Sequence, residues 1–201
     1  MILYGSRVSG TASEDGDYDV LVVVEDRALL QTRRKRAADL ASATGLPVDL
    51  NLATPHGLET RSLLDPYIQY VLATGVQVGE QIVEVGPLSR QGIQDALICV
   101  ELGLQDLHGV EGAEVTTSML RRAAKQLAVL SQAVDGRYSA QEYAQVVAGI
   151  LAQPVRASVA MMSRMVEVLR LRLVRVPANA GDEALVRYVA RERHRLHEQA
   201  H

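Results

Sequence analysis

The sequence predicts an α+β chain in two parts, a small sheet-and-helix domain over residues 1–86 and an all-helical bundle over residues 87–201. Before residue 54, short apolar runs alternate with loops and one helix-length polar segment, whereas after residue 89 every apolar pattern steps by three and four. Between the two, Gly86-Pro87-Leu88-Ser89 has the composition of a joint.

In order along the chain, Ile2, Leu3 and Tyr4 enter a Gly5-Ser6 pair, which reads as a short strand ending in a turn. Gly10, Gly16 and the polar residues between them keep the chain in loop until Asp17. Residues 17–24 then form a second strand. A polar, basic segment over residues 27–42 has helical spacing; its run Arg33-Arg34-Lys35-Arg36 is either a solvated face or a reach toward a bound anion. Gly45 ends it, and residues 47–53 read as another strand, with Asp49 and Asn51 opposite Val48, Leu50 and Leu52. Thr54-Pro55-His56-Gly57 reads as a turn. Thr60 is placed to cap a helix whose apolar face starts at Leu63 and Leu64 and which takes Pro66 in its first turns. Residues 76–85 alternate as a last strand, and their mixed faces suit a sheet edge.

The second part is expected to hold five helices. Apolar stripes define residues 91–107 (Ile93, Leu97, Val100, Leu104), 116–134 (Leu120, Ala124, Leu127, Leu130), 155–174 (Val159, Met162, Val166, Leu169) and 182–199 (Leu185, Tyr188, Val189, Leu196). Ser139 followed by Glu142 is a capping box that opens the remaining one, with Gly149 and Pro154 near its end. Short joints between helices of ordinary length describe a small bundle. With no Trp and no Phe, its core is built from Leu, Val, Ala, Ile and Met.

The chemistry is concentrated near the N-terminus. Residues two apart in a strand share a face, so Asp17 and Asp19 bring two carboxylates within a few ångströms of each other. Two such anions repel unless a positive charge lies between them. Oxygen ligands of this kind favour a hard divalent cation, Mg²⁺ or Mn²⁺. Asp49, on a later strand, is the natural third member, as metal ligand and as the group that orients or deprotonates an incoming nucleophile. Gly5 and Ser6 offer backbone N–H groups and a hydroxyl for a phosphate, and Arg7 leaves the same turn with a guanidinium suited to bidentate pairing with one. Carboxylates that hold metal beside a phosphate cradle are the layout for phosphoryl or nucleotidyl transfer.

Bulk properties exclude several classes. A net charge of −3 gives no general attraction to nucleic acid, and without Trp or Phe and with only seven scattered Tyr there is no stacking platform for single strands. The single cysteine, Cys99, rules out a disulfide or thiolate metal framework and is expected to be a small buried hydrophobe. No apolar run has the length of a membrane span and no leader pattern opens the chain, so a cytoplasmic protein with no membrane partner is expected.

Gly5-Ser6, ten residues, Asp17-Tyr18-Asp19, a strand, and then Val48-Asp49-Leu50 resemble the DNA polymerase beta-type nucleotidyltransferase superfamily, specifically its small prokaryotic members. Arg7, Gly10 and Asp15 also stand where those proteins commonly carry an Arg, a Gly and a polar residue. The resemblance spans residues 1–84. It implies a mixed sheet with flanking helices, a nucleoside triphosphate (ATP foremost) with two Mg²⁺ held by Asp17, Asp19 and Asp49, and transfer of the nucleoside monophosphate to a hydroxyl with release of pyrophosphate. It also implies a helix before the Gly-Ser strand, for which the residues ahead of Gly5 leave no room.

Three readings follow from a bundle joined to such a domain. In one, as in the aminoglycoside nucleotidyltransferases that the domain order resembles, the helices hold a small-molecule hydroxyl acceptor; a cationic acceptor calls for acids, and Glu101, Asp106, Glu111 and Glu114 are the candidates. In another, the helices bind a partner protein that the enzyme AMPylates, as in nucleotidyltransferase antitoxins. In the last, the chain binds nucleotide without chemistry. The final helix, rich in Arg and His, is a candidate homodimer element.

Overall fold

Where Ile2 and Tyr4 alternate with Leu3, both outer residues are buried, and this short run is β1 (Ile2–Tyr4). The computed structural model describes residues 1–10, 12, 16–25, 29–45, 47–79, 88–107, 113–175, 178 and 180–199. Two compact units divide the chain: Met1–Arg61 with Ile68–Val85, and Ser62–Tyr67 with Gly86–His201.

In the first unit, β1 pairs antiparallel with β2 (Tyr18–Val23), which pairs parallel with β3 (Val48–Ala53). On the other side of β1 lies a two-residue antiparallel edge, β4 (Val76–Gln77), so the order is β3-β2-β1-β4 and the sheet is mixed. Parallel neighbours need a crossover of a dozen or more residues, supplied by α2 (Leu29–Thr44), which packs against β3. Ile2, Tyr4, Leu21, Ala53, Leu58, Ile68, Tyr70 and Val71 are buried and form this unit's core.

Several local expectations are corrected. The stretch after Gly5 is not all loop, because a single turn of helix, α1 (Ser6–Ser9), ends at Gly10, whose left-handed backbone returns its N–H to the Ser6 carbonyl. The second strand begins at Tyr18, so Asp17 stands at its mouth. Thr54 to Gly57 is the start of α3 (Pro55–Leu64): Thr54 Oγ1 accepts the Gly57 N–H at 3.1 Å, and Pro55 takes the first helical position, where no N–H is needed. Thr60 lies inside that helix and donates to the His56 carbonyl. Pro66 likewise opens α4 (Pro66–Thr74), with Asp65 accepting the Tyr67 N–H at 2.9 Å. Of the expected strand 76–85, residues 80–85 lie outside the described residues, as do Gly86 and Pro87 of the joint.

The second unit contains α5 (Arg90–Leu107), α6 (Ala113–Asp135), α7 (Ala140–Leu151), α8 (Val155–Arg175) and α9 (Ala180–Gln199). The predicted stripes of α5, α6 and α8 are its core: Leu97, Val100, Leu120, Leu127, Leu130, Ile150, Met162, Val166 and Leu169 are buried together. In the stripe expected on α9, by contrast, Leu185 and Tyr188 are only half-buried, Val189 is exposed and the Leu196 side chain lies outside the described residues. α6 packs against α5, α7 and α8, and its Ala123, Ala124 and Ala128 are small enough to let neighbouring helices approach closely. Ser139 caps α7 by accepting the Glu142 N–H, and Asp182 at the start of α9 accepts the Arg90 N–H that opens α5. The segment Ser62–Tyr67 is fastened to α5: the Leu63 carbonyl accepts from both Ser89 N–H (2.9 Å) and Ser89 Oγ (2.7 Å). Beside it Gly92 is required by space, since a Cβ there would stand 2.6 Å from the Leu64 carbonyl oxygen. Cys99 is exposed rather than buried, because the inward stripe of α5 runs through Leu97 and Val100 and leaves it on another face.

Candidate metal and nucleotide site

The register of the sheet builds this site. Asp19 is opposite Asp49 across the parallel β2 and β3 pair, and Tyr4 is opposite Asp19 across β1 and β2. All three therefore share one face, together with Asn51 two residues beyond Asp49. Asp17 joins them from the mouth of β2, and carboxylate oxygens of Asp17, Asp19 and Asp49 all lie within 4.8 Å of one another. Asp17 and Asp49 are exposed and Asp19 is half-buried, so the cluster opens to solvent. Hard oxygen donors at this separation suit a divalent cation.

Gly5 sits directly against the cluster. Its φ of 80° is a left-handed conformation that side chains rarely adopt, and a Cβ built on it would fall 2.7 Å from Asp19 Cγ and overlap the carboxylate. Ser6 begins α1 at this point. Arg7 is a brace: its Nε–H donates to the Gly16 carbonyl at 2.9 Å, and its guanidinium lies 5.0 Å over the Tyr18 ring. It thereby ties α1 to the strand that carries Asp19.

Beneath the carboxylates is a polar floor that sequence reasoning did not pick out. Asn51 Nδ2 donates to the Tyr4 hydroxyl at 2.7 Å. Burial, followed by the negative charge of Asp19, pushes the Tyr4 phenol up to about 12, so it stays protonated. The signal in the sequence was faint: Asn51 shares the face of Asp49, but its pairing with Tyr4 depends on strand order, which periodicity does not give.

Other candidates are placed as follows. Arg34, Lys35 and Arg36 are exposed on α2, and the Arg33 side chain lies outside the described residues. In the second unit, Glu101 is ion-paired with Arg170, Asp106 is exposed, and Glu111 and the Glu114 side chain lie outside the described residues. No helix among the described residues is long and apolar enough to cross a membrane.

No curated protein and no solved structure matches the chain. Residues 1–70, which carry the acidic cluster, Gly5 and the Tyr4–Asn51 pair, match the nucleotidyltransferase domain family.

Proposed function

We propose that the chain transfers a nucleoside monophosphate from a nucleoside triphosphate, ATP foremost, to a hydroxyl of a small molecule, with release of pyrophosphate. The observation that carries this reading is the convergence of Asp17, Asp19 and Asp49 within 4.8 Å, inside the stretch that matches the nucleotidyltransferase domain.

Asp17, Asp19 and Asp49 would hold Mg²⁺ or Mn²⁺, which when bound polarises phosphoryl oxygens and offsets their charge. Gly5, lacking a side chain, leaves room for the Asp19 carboxylate and, with Ser6, presents backbone N–H groups toward a phosphate. Arg7 holds α1 in register with β2 and stands beside that turn as a phosphate partner. Asp49, exposed at the edge strand, is placed to orient the acceptor hydroxyl and take its proton. Tyr4 remains neutral beneath Asp19 and adds no further negative charge to the cluster.

Exposed Leu171 and Val174 on α8 favour a second reading, in which the acceptor is a partner protein seated on that apolar face. The test is incubation of the full-length protein with α-labelled ATP, CTP, GTP and UTP and three acceptor pools: aminoglycosides, total cytosolic protein and total RNA. Label on the aminoglycosides supports the first reading, and label on a protein the second. Label in RNA overturns both, and retention of pyrophosphate release by Asp17→Ala/Asp19→Ala overturns the site.

A further inference from the structure

The second unit contains a cavity of about 670 Å³ that none of the chemistry above uses. Pockets that enclose drug-sized ligands run from roughly 300 to 1,000 Å³, so its size is that of an organic molecule rather than an ion. Leu64, Pro66, Val129 and Leu130 give it an apolar interior. One wall is a row of cations on α6, Arg121, Arg122 and Lys125.

These cations are conspicuous for what they lack. None of the three makes a hydrogen bond or ion pair among the described residues, whereas Arg170 and Arg172 of the same unit are paired with Glu101 and Asp135. Lys125 stands four residues from Arg121 and three from Arg122, so its charge repels theirs along the helix surface. Two carboxylates also line the cavity, but each is already served by a protein donor: Asp65 accepts the Tyr67 N–H, and Asp95 accepts from the Gln91 amide. The lining carries three cations and two carboxylates, so one positive charge is in excess beside apolar surface.

We propose that this cavity binds a small organic anion with an apolar body, its charged group on the Arg121, Arg122 and Lys125 row and its body over Leu64, Pro66 and Val129. Such a ligand removes the like-charge repulsion along α6 and buries apolar surface at the same time. The inference is independent of the carboxylate cluster in the first unit and of the reaction proposed there.

The chain carries its own reporter. Cys99, its single cysteine, is exposed on the wall of the cavity, so alkylation by neutral iodoacetamide reads occupancy of this place alone. Full-length protein would be alkylated in the presence of decanoate, of decyltrimethylammonium, which has the same body and opposite charge, and of inorganic phosphate, which has charge and no body. Calorimetric titration of decanoate runs in parallel. Decanoate is expected to bind with measurable heat and to slow alkylation saturably, while the other two do neither. In Arg122→Gln/Lys125→Gln, two exposed positions, decanoate binding should weaken by about tenfold or more, the usual worth of a charge-assisted contact. Its thermal midpoint should not fall, and protection is read against the variant's own alkylation rate without ligand. Equal protection by decyltrimethylammonium or by phosphate, unweakened binding to the double variant, or absence of both heat and protection would each overturn the proposal.

Discussion

Gly5 and Asp19 touch in a way that only glycine permits: at a φ of 80°, the Asp19 carboxylate occupies the space that a β-carbon on residue 5 would need. Gly5→Ala must therefore both strain the backbone and push Asp19 aside. It is expected to lower stability by more than about 1 kcal/mol in urea unfolding and to weaken Mn²⁺ binding in a calorimetric titration. A variant that lost stability yet bound Mn²⁺ like the parent would separate Gly5 from the cluster.

Asp49 differs from the other two acids in lying on the edge strand, β3. Asp49→Asn keeps size and removes charge, so turnover should fall by about two to four powers of ten, the reach of general-base assistance, with nucleotide affinity little changed. Asp17→Ala/Asp19→Ala should instead abolish the metal requirement for nucleotide binding. Tenfold weaker ATP binding by D49N at a retained rate would assign the proton-accepting role elsewhere.

A buried phenol, Tyr4, and a half-buried one, Tyr138, set an alkaline limit. Tyr4 and Tyr138 are each raised from 10 to about 12, chiefly by burial, so the unfolded chain releases those protons first. Their contribution to stability is complete below pH 10 and is lost as pH rises toward 12. Urea unfolding across that window should show falling stability, with tyrosinate absorbance emerging late in the native protein. In Tyr138→Phe the fall should be shallower, and an unchanged slope would refute the assignment.

Ser89 is fully buried and has two partners for its hydroxyl, donating to the Leu63 carbonyl and accepting the Gly92 N–H at 3.1 Å. Ser89→Ala leaves the Gly92 N–H without its acceptor in the interior and is expected to cost about 1–3 kcal/mol by thermal or urea unfolding. A chain ending at residue 86 loses Ser89 altogether and separates Ser62–Tyr67 from the rest of its unit. It should be poorly soluble, and a soluble, cooperatively folding product would show that this fastening is dispensable.

Much of this was legible in the residues. The meeting of Asp17, Asp19 and Asp49 is legible from two acids two residues apart and a third on a later strand, although Asp17 lies at the mouth of β2 rather than within it, and the stripes from Ile93 to Leu173 mark the bundle core. The remainder depended on geometry that periodicity does not encode. Thr54 and Thr60 are both credible caps by composition, and only the bond from the Gly57 N–H distinguishes them. The Tyr4–Asn51 pair crosses from β1 to β3 over an intervening strand, so it required the strand order. Cys99 was misplaced because apolar surroundings in sequence do not fix which side of a helix a residue occupies.

The parallel register of β2 and β3 also sets which changes in chain length the site can survive. Residues inserted into the loops that flank α2 alter only the crossover, and the described side chains of α2 are mostly exposed. A single residue inserted between Val48 and Asp49, with Val48 held opposite Tyr18, would itself stand opposite Asp19 and turn Asp49 to the opposite face of the sheet. Length variation among functional homologues should accordingly fall between the two strands and leave the phase within each one intact.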